Sequence, residues 1–399
     1  MTAQALNSLI ERFDPAPLDV VDREVRIRLA VRSADALDVI VSEDAGVRTE
    51  SPNGERPDTV ISADEETWRR IASDLRGGMT AFRQGRLRMR GNLHVGAGFL
   101  AGIGEQDEHG LRFESVETRA GRISTFTAGT GRPVVCLHGL GGTKASFLTT
   151  AAALADEYRV IGVDLPGFGD SDKPILAAYD APYFARAVVA LLDELQIDRA
   201  HLVGNSMGGR VAIEAGLAYP ARVHGVVLLS PALAWLRPRP LKGLLRLPLS
   251  MLGLIQPTPR AILEPVVRSI VPRGRSGWTA AGVDEFLRVF EKPRGRAAFY
   301  AALTKIYLDE PDGENGLWTR LAALQCESLF VWGRQDALVP IAFMKHVERT
   351  LPGARHVELD CGHVPQMEMP GHTHRAIREF FHDLERGAAG RDEARALAA

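Results

Sequence analysis

Cysteine is scarce in this chain. Its 399 residues hold three, Cys136, Cys326 and Cys361, far apart and with no C-x-x-C pair. That excludes a disulfide scaffold and a cysteine zinc site, and it fits a reducing compartment. A surplus of one charge is missing too. With 48 basic and 50 acidic residues the formal net charge is −2, so the global electrostatics give no case for nucleic acid or for a strongly acidic partner. Long hydrophobic runs are also lacking. The most apolar stretch, Leu241 to Ile255, is broken by Arg246 and Pro248 and cannot span a bilayer. The opening MTAQALNSLIERF has no basic start followed by an apolar run, so it does not read as a secretory signal and the expected location is cytoplasmic. What remains, 45% hydrophobic and 25% charged residues, is an ordinary globular composition with length enough for two domains.

The first quarter reads as a small α+β unit over residues 1–108. Leu6, Leu9, Ile10 and Phe13 have helical spacing. Val25 to Val31, Leu37 to Ser42 and Val47 to Ser51 read as strands of a half-exposed antiparallel sheet, and Pro57 to Ser62 as one more strand. Ser62-x-x-Glu65 fits a capping box that opens a helix through Asp74. A short helix (Met79 to Gln84), a strand (Leu87 to Gly91) and the apolar Leu93 to Ile103 follow, and Gly104 to Gly110 reads as a linker. The run from Pro57 to Leu93, with Trp68 on its capped helix and Met79 and Phe82 on the short one, resembles the sterol-carrier-protein family, type two. The resemblance implies a lipid-binding module that encloses an apolar tunnel. The plainer alternative is a small domain whose Met79, Phe82, Leu93 and Phe99 fill its own core.

From residue 112 the rhythm changes. Arg112 to Thr118 and Arg122 to Ala128 read as a hairpin. After it, short apolar runs alternate with helix-length segments: Pro133 to Leu137, Val160 to Val163, His201 to Val203, Val226 to Leu229, Ser328 to Val331 and Arg355 to Leu359. Such alternation predicts a mostly parallel sheet covered on both faces, an α/β fold with its chemistry at the carboxyl ends of the strands. The reactive residue types stand there.

The most specific stretch is HLVGNSMGGR, His201 to Arg210, in which Gly204-Asn205-Ser206-Met207-Gly208 matches G-x-S-x-G between a strand and a helix. A nucleophile on so sharp a turn needs small neighbours two residues to either side, and glycine supplies them. Asp336 follows the Ser328 to Val331 run, and His363 follows Arg355 to Leu359. The chain order Ser206, Asp336, His363 resembles that of the α/β-hydrolase superfamily, over about residues 112–386.

The resemblance implies Ser206 as nucleophile, His363 as base and Asp336 as the acid that orients the imidazole. It also implies an oxyanion hole from the backbone N–H groups of Leu140 and Met207, with His138 and Gly139 in the loop beside the substrate. Each has a bland alternative: a capping serine, a turn aspartate, a structural histidine, a plain glycine turn. Asp164 to Asp172 reads as scaffolding, and His372 and His374 as exposed residues at the start of a last helix, about Thr373 to Arg386. The tail Gly387 to Ala399 is expected to be disordered.

Between Pro231 and Glu327 the chain is far longer than one crossover needs. The resemblance to the α/β-hydrolase superfamily implies a helical cap over the pocket at this point, and Leu233 to about Leu321 is assigned to it. The first half of that cap is basic (Arg237, Arg239, Lys242, Arg246, Arg260, Arg268, Arg273, Arg275) and interleaved with leucines. It either contacts an anionic membrane peripherally or is a cap helix with a solvated top. The expected activity is serine-dependent cleavage of a carboxylic ester with an apolar or lipidic part, requiring no metal or organic cofactor. The rivals are a carbon–carbon bond hydrolase of a diketone-like ring-fission product and a non-catalytic lipid carrier. Oligomeric state is not readable from the residues.

Overall fold

The computed structural model describes residues 2–18, 24–31, 36–42, 44, 46–73, 81, 86–104, 110–234, 252–255, 261, 264–265 and 277–398. The N-terminal part holds five strands, β1 (Val25–Val31), β2 (Ala36–Ser42), β3 (Gly46–Glu50), β4 (Thr59–Ala63) and β5 (Arg88–Gly91), in the order β3-β2-β1-β4-β5. The antiparallel pairing expected of the first three strands is present, and β4 joins β1 in parallel. Period-two patterning sets which side chains share a face but not which strands pair. Here Asp58 starts the parallel ladder, donating its N–H to the Arg26 carbonyl and accepting the Arg26 N–H on its carboxylate, at 2.9 and 3.0 Å.

The helix Glu65–Ser73 is capped by Asp64 rather than Ser62, since the Asp64 carboxylate accepts the Thr67 N–H at 2.8 Å. Trp68 is fully buried from this helix and donates its indole N–H to the Ala30 carbonyl at 3.1 Å. Of the expected short helix with Met79 and Phe82 only Ala81 is among the described residues, helical and buried, and most of the Gly104 to Gly110 linker lies outside them. The apolar run after β5 is a helix, Leu93–Gly102, with Asn92 as its cap. A Cβ at Gly102 would come 2.2 Å from the Asp14 carbonyl, so glycine is what lets this helix lie so close to the N-terminal segment.

The second part is an eight-stranded sheet formed by β6 (Arg112–Thr118), β7 (Gly121–Ala128), β8 (Arg132–Leu137), β9 (Tyr158–Val163), β10 (Ala200–Asn205), β11 (Val223–Leu229), β12 (Glu327–Gly333) and β13 (Arg355–Leu359). Its order is β13-β12-β11-β10-β8-β9-β7-β6, parallel from β13 to β9, with β7 and β6 added antiparallel. The inner strands β8 to β12 are mostly apolar because both faces are covered, whereas the edge strands β6 and β13 carry polar residues. In β8, Val134 and Cys136 enter one core while Val135 and Leu137 enter the other.

The first of those cores does not stop at the linker. It runs from Leu9, Trp68 and Phe99 of the N-terminal part into Phe113, Phe126 and Phe381. The last helix is Pro370–Ala398, so the tail is helical rather than disordered, in keeping with its Ala, Arg and Glu content. His374 is also not exposed. It is buried on this helix, with Nε2 at 3.0 Å from Thr150 Oγ1, whereas His372 is exposed.

Candidate active site

Ser206 stands between β10 and the helix Met207–Ala218 with φ 53° and ψ −114°. A serine in that region costs about 1–3 kcal/mol, so the surroundings must hold it there. They do so through the backbone. Its N–H donates to the Leu229 carbonyl at 3.0 Å, and its own carbonyl accepts from Ala232 N at 2.8 Å and Arg210 N at 3.1 Å. The motif glycines are required by contact. A Cβ on Gly204 would lie 2.3 Å from the Gly208 carbonyl oxygen, and one on Gly208 would lie 2.0 Å from that of Leu137.

The turn after β12 presents Asp336 with its side chain fully buried. One carboxylate oxygen accepts the N–H groups of Leu338 and Val339 at 2.8 and 2.9 Å, and the other lies 2.8 Å from His363 Nδ1. That pairing fixes the imidazole's orientation and leaves Nε2 as its free-facing nitrogen. Two residues that the sequence did not single out hold the histidine loop. Asn205 Nδ2 donates to the carbonyls of Leu229 and His363, at 2.9 and 3.0 Å. Glu368 accepts from Gly362 N and Val364 N, each at 3.0 Å, and so clamps the loop on either side of His363.

The loop after β8 supplies Gly139 and Leu140 to the same cavity, while Met207 opens the helix behind Ser206. The first N–H groups of a helix have no intrahelical acceptor, so that of Met207 is available to an anion. His138 does not face the cavity. Its ring is fully buried, donates through Nδ1 to the Gly139 carbonyl at 2.8 Å and accepts the Leu165 N–H on Nε2 at 3.0 Å. Burial keeps its pKa below the ordinary value. It braces the loop as a neutral ring.

Asp164 is scaffolding of an unexpected kind. Its partner is Lys144, a lysine buried to 1% exposure, whose Nζ lies 2.6 Å from the carboxylate and 2.9 Å from Ser124 Oγ. Burial pushes the Asp164 carboxyl up most strongly, but the charge and hydrogen bond of Lys144, together with the other groups around it, leave the pKa below the usual range.

Ser206 and His363 line one cavity of about 500 Å³. Its roof is apolar and aromatic: Val283, Phe286 and Phe290 of the helix Gly277–Glu291, and Phe299, Leu303 and Ile306 of the helix Pro293–Leu308. Among the described lining residues the carboxylate is Glu285, and there is no lysine or arginine. The basic residues of the cap's first half lie outside the described residues. Among the described residues no group of three His, Cys, Asp or Glu side chains is arranged to hold a metal ion, and no helix is long and apolar enough to cross a membrane.

Comparison with known proteins agrees with this architecture. Residues 132–370 match the model of the alpha/beta hydrolase fold, and residues 7–99 match that of the SCP-2 sterol transfer family. A 2-hydroxy-6-oxo-6-phenylhexa-2,4-dienoate hydrolase of Burkholderia cepacia is 30% identical over 273 residues, which is 65% of this chain and 91% of that protein. Among solved structures, a thermophilic esterase from Thermogutta terrifontis is 27% identical with a TM-score of 0.57, over 68% of this chain and 99% of its own. A bacterial membrane phospholipase A is 25% identical with a TM-score of 0.57, over 69% and 87%.

Proposed function

Since the chain belongs to the alpha/beta hydrolase fold family and carries an N-terminal SCP-2 domain, we propose that it is a serine hydrolase cleaving an uncharged, apolar carboxylic ester through an acyl-enzyme. Ser206 Oγ attacks the ester carbonyl while His363 Nε2 takes its proton. Asp336 holds the imidazole in the required tautomer and stabilises its charged form. The oxyanion that develops sits against the N–H groups of Leu140 and Met207, each worth about 3–4 kcal/mol in a water-poor site. The alcohol leaves with the proton from His363, and water activated by the same nitrogen releases the acid.

One observation carries the choice of substrate, namely the cavity wall. A roof of phenylalanine, leucine and isoleucine over Ser206 suits an acyl or alcohol chain without charge, and among the described lining residues there is no lysine or arginine to pair with a substrate carboxylate. The likeness to a phospholipase and an esterase points the same way. The second reading is carbon–carbon bond cleavage of a ring-fission product, favoured by the relative that hydrolyses a phenylhexadienoate. The two separate in one assay. Purified protein is given p-nitrophenyl esters of increasing acyl length and, in parallel, a 2-hydroxy-6-oxo-dienoate, with Ser206→Ala as control. Faster turnover of the medium and long esters, lost in Ser206→Ala, is the expected result. Turnover of the dienoate with no ester cleavage would replace this reading by the second.

A further inference from the structure

One lining residue of the cavity comes from outside the hydrolase sheet and its cap. Leu93 is the first residue of the helix Leu93–Gly102, in the N-terminal part, and it shares the cavity with Ser206 and His363. Its position is fastened by two consecutive acids on the roofing helix Gly277–Glu291, both nearly buried at 7% and 4% exposure. Asp284 accepts from Arg90 Nε and Nη2, at 2.5 and 3.1 Å, and from Gly91 N at 3.2 Å. Glu285 accepts from Leu93 N at 3.2 Å on one oxygen, and on the other from Thr143 Oγ1, at 3.1 Å, and from Arg288. Arg288 continues to Asp170 at 3.0 Å, and Asp170 lies 3.2 Å from Nδ1 of His94, the residue after Leu93. The ring of contacts is thus closed through the N-terminal helix, the roof and the loops after β8 and β9.

From this we infer that the N-terminal module is a wall of the active site, and that Leu93 is a specificity-determining residue for the chain of the substrate. The inference rests on the serine-hydrolase reading given above and goes beyond it, since a carrier domain merely attached to an enzyme would leave the cavity unchanged. Buried acids that accept backbone N–H groups at a helix start are charge-assisted contacts with fixed geometry. They fix the backbone at Leu93, whose side chain lines the cavity. Removing three carbons there lengthens the space open to an acyl chain, and an indole there shortens it. A change of one methylene in such a pocket shifts selectivity by about tenfold or more.

The test uses the full chain and the rate of covalent labelling at Ser206 by two alkyl fluorophosphonates, one ethyl and one dodecyl. Leu93→Ala is expected to raise the dodecyl-to-ethyl rate ratio on the order of tenfold, and Leu93→Trp to lower it by a similar factor. Opposite shifts cannot arise from loss of folded protein, which slows both probes together. If one variant fails to fold, the other carries the test alone. Unchanged ratios in folded variants would overturn this inference and leave the hydrolase reading standing. No labelling of the unaltered chain would overturn both.

Discussion

At the residue scale, the pairing of Asp336 with His363 is the contact on which the proposed chemistry turns. Asp336→Asn keeps the shape but presents the wrong hydrogen-bonding pattern to Nδ1. It is expected to lower kcat about 10⁴-fold with little change in KM, measured on the best ester. A second histidine tests the fold instead of the chemistry. His201 is 1% exposed, its ring stacks on Phe381 at 4.1 Å, and among the described residues neither ring nitrogen has a hydrogen-bond partner. Burial pushes its pKa down from 6.5 to about 3. The unfolded chain therefore binds this proton more readily. The stability it contributes is complete above about pH 6.5 and is lost as the pH falls toward 3. In urea denaturation at pH 7 and pH 5, His201→Phe should shrink the loss of stability between the two by about 1–2 kcal/mol. Ser206, Asp336 and His363 were legible from motif and chain order. Glu368 and Glu285 were not, because a glutamate that accepts backbone N–H groups has no spacing that marks it.

At the element scale, the strand ends are where local strain and buried charge are held. Lys144 and Asp164 tie the segment after β8 to the loop after β9. Lys144→Met removes one partner of a buried pair and leaves a carboxylate without its counter-charge. It is expected to cost about 3–5 kcal/mol of stability, read by denaturant titration. The carboxyl held below its usual range adds a pH dependence of the same sign in a more acidic window: its stabilisation is present above about pH 4 and is lost as the pH falls through the folded value. The large sheet and its β6–β7 hairpin could be read as elements, since apolar runs and a glycine turn are local signals. The parallel pairing of β1 with β4 and the cap at Asp64 could not. Each depends on which of two nearby polar residues, or which of two strand edges, the rest of the chain leaves available.

At the scale of the whole molecule, the sterol-carrier-like and hydrolase parts share one apolar core, and the acids of the roofing helix are bonded across the junction. Two modules joined only by a linker would melt separately. A continuous core with buried charges across the boundary melts as a unit. Calorimetry of the full chain is expected to show a single cooperative transition. Two resolved transitions would mean that the junction contributes little.

By itself, the order of residues determined the strands, the glycine-framed turn around Ser206, and the three side chains proposed to act on a substrate, because those features are written in interactions spanning a few positions. Only tertiary packing decided that Leu93 joins Ser206 across the cavity, that Glu285 reaches both Thr143 and Leu93, and that the two modules are one body. The physical reason is that an apolar face or an acid specifies what kind of partner it needs. Which partner it meets is settled when the elements close on one another.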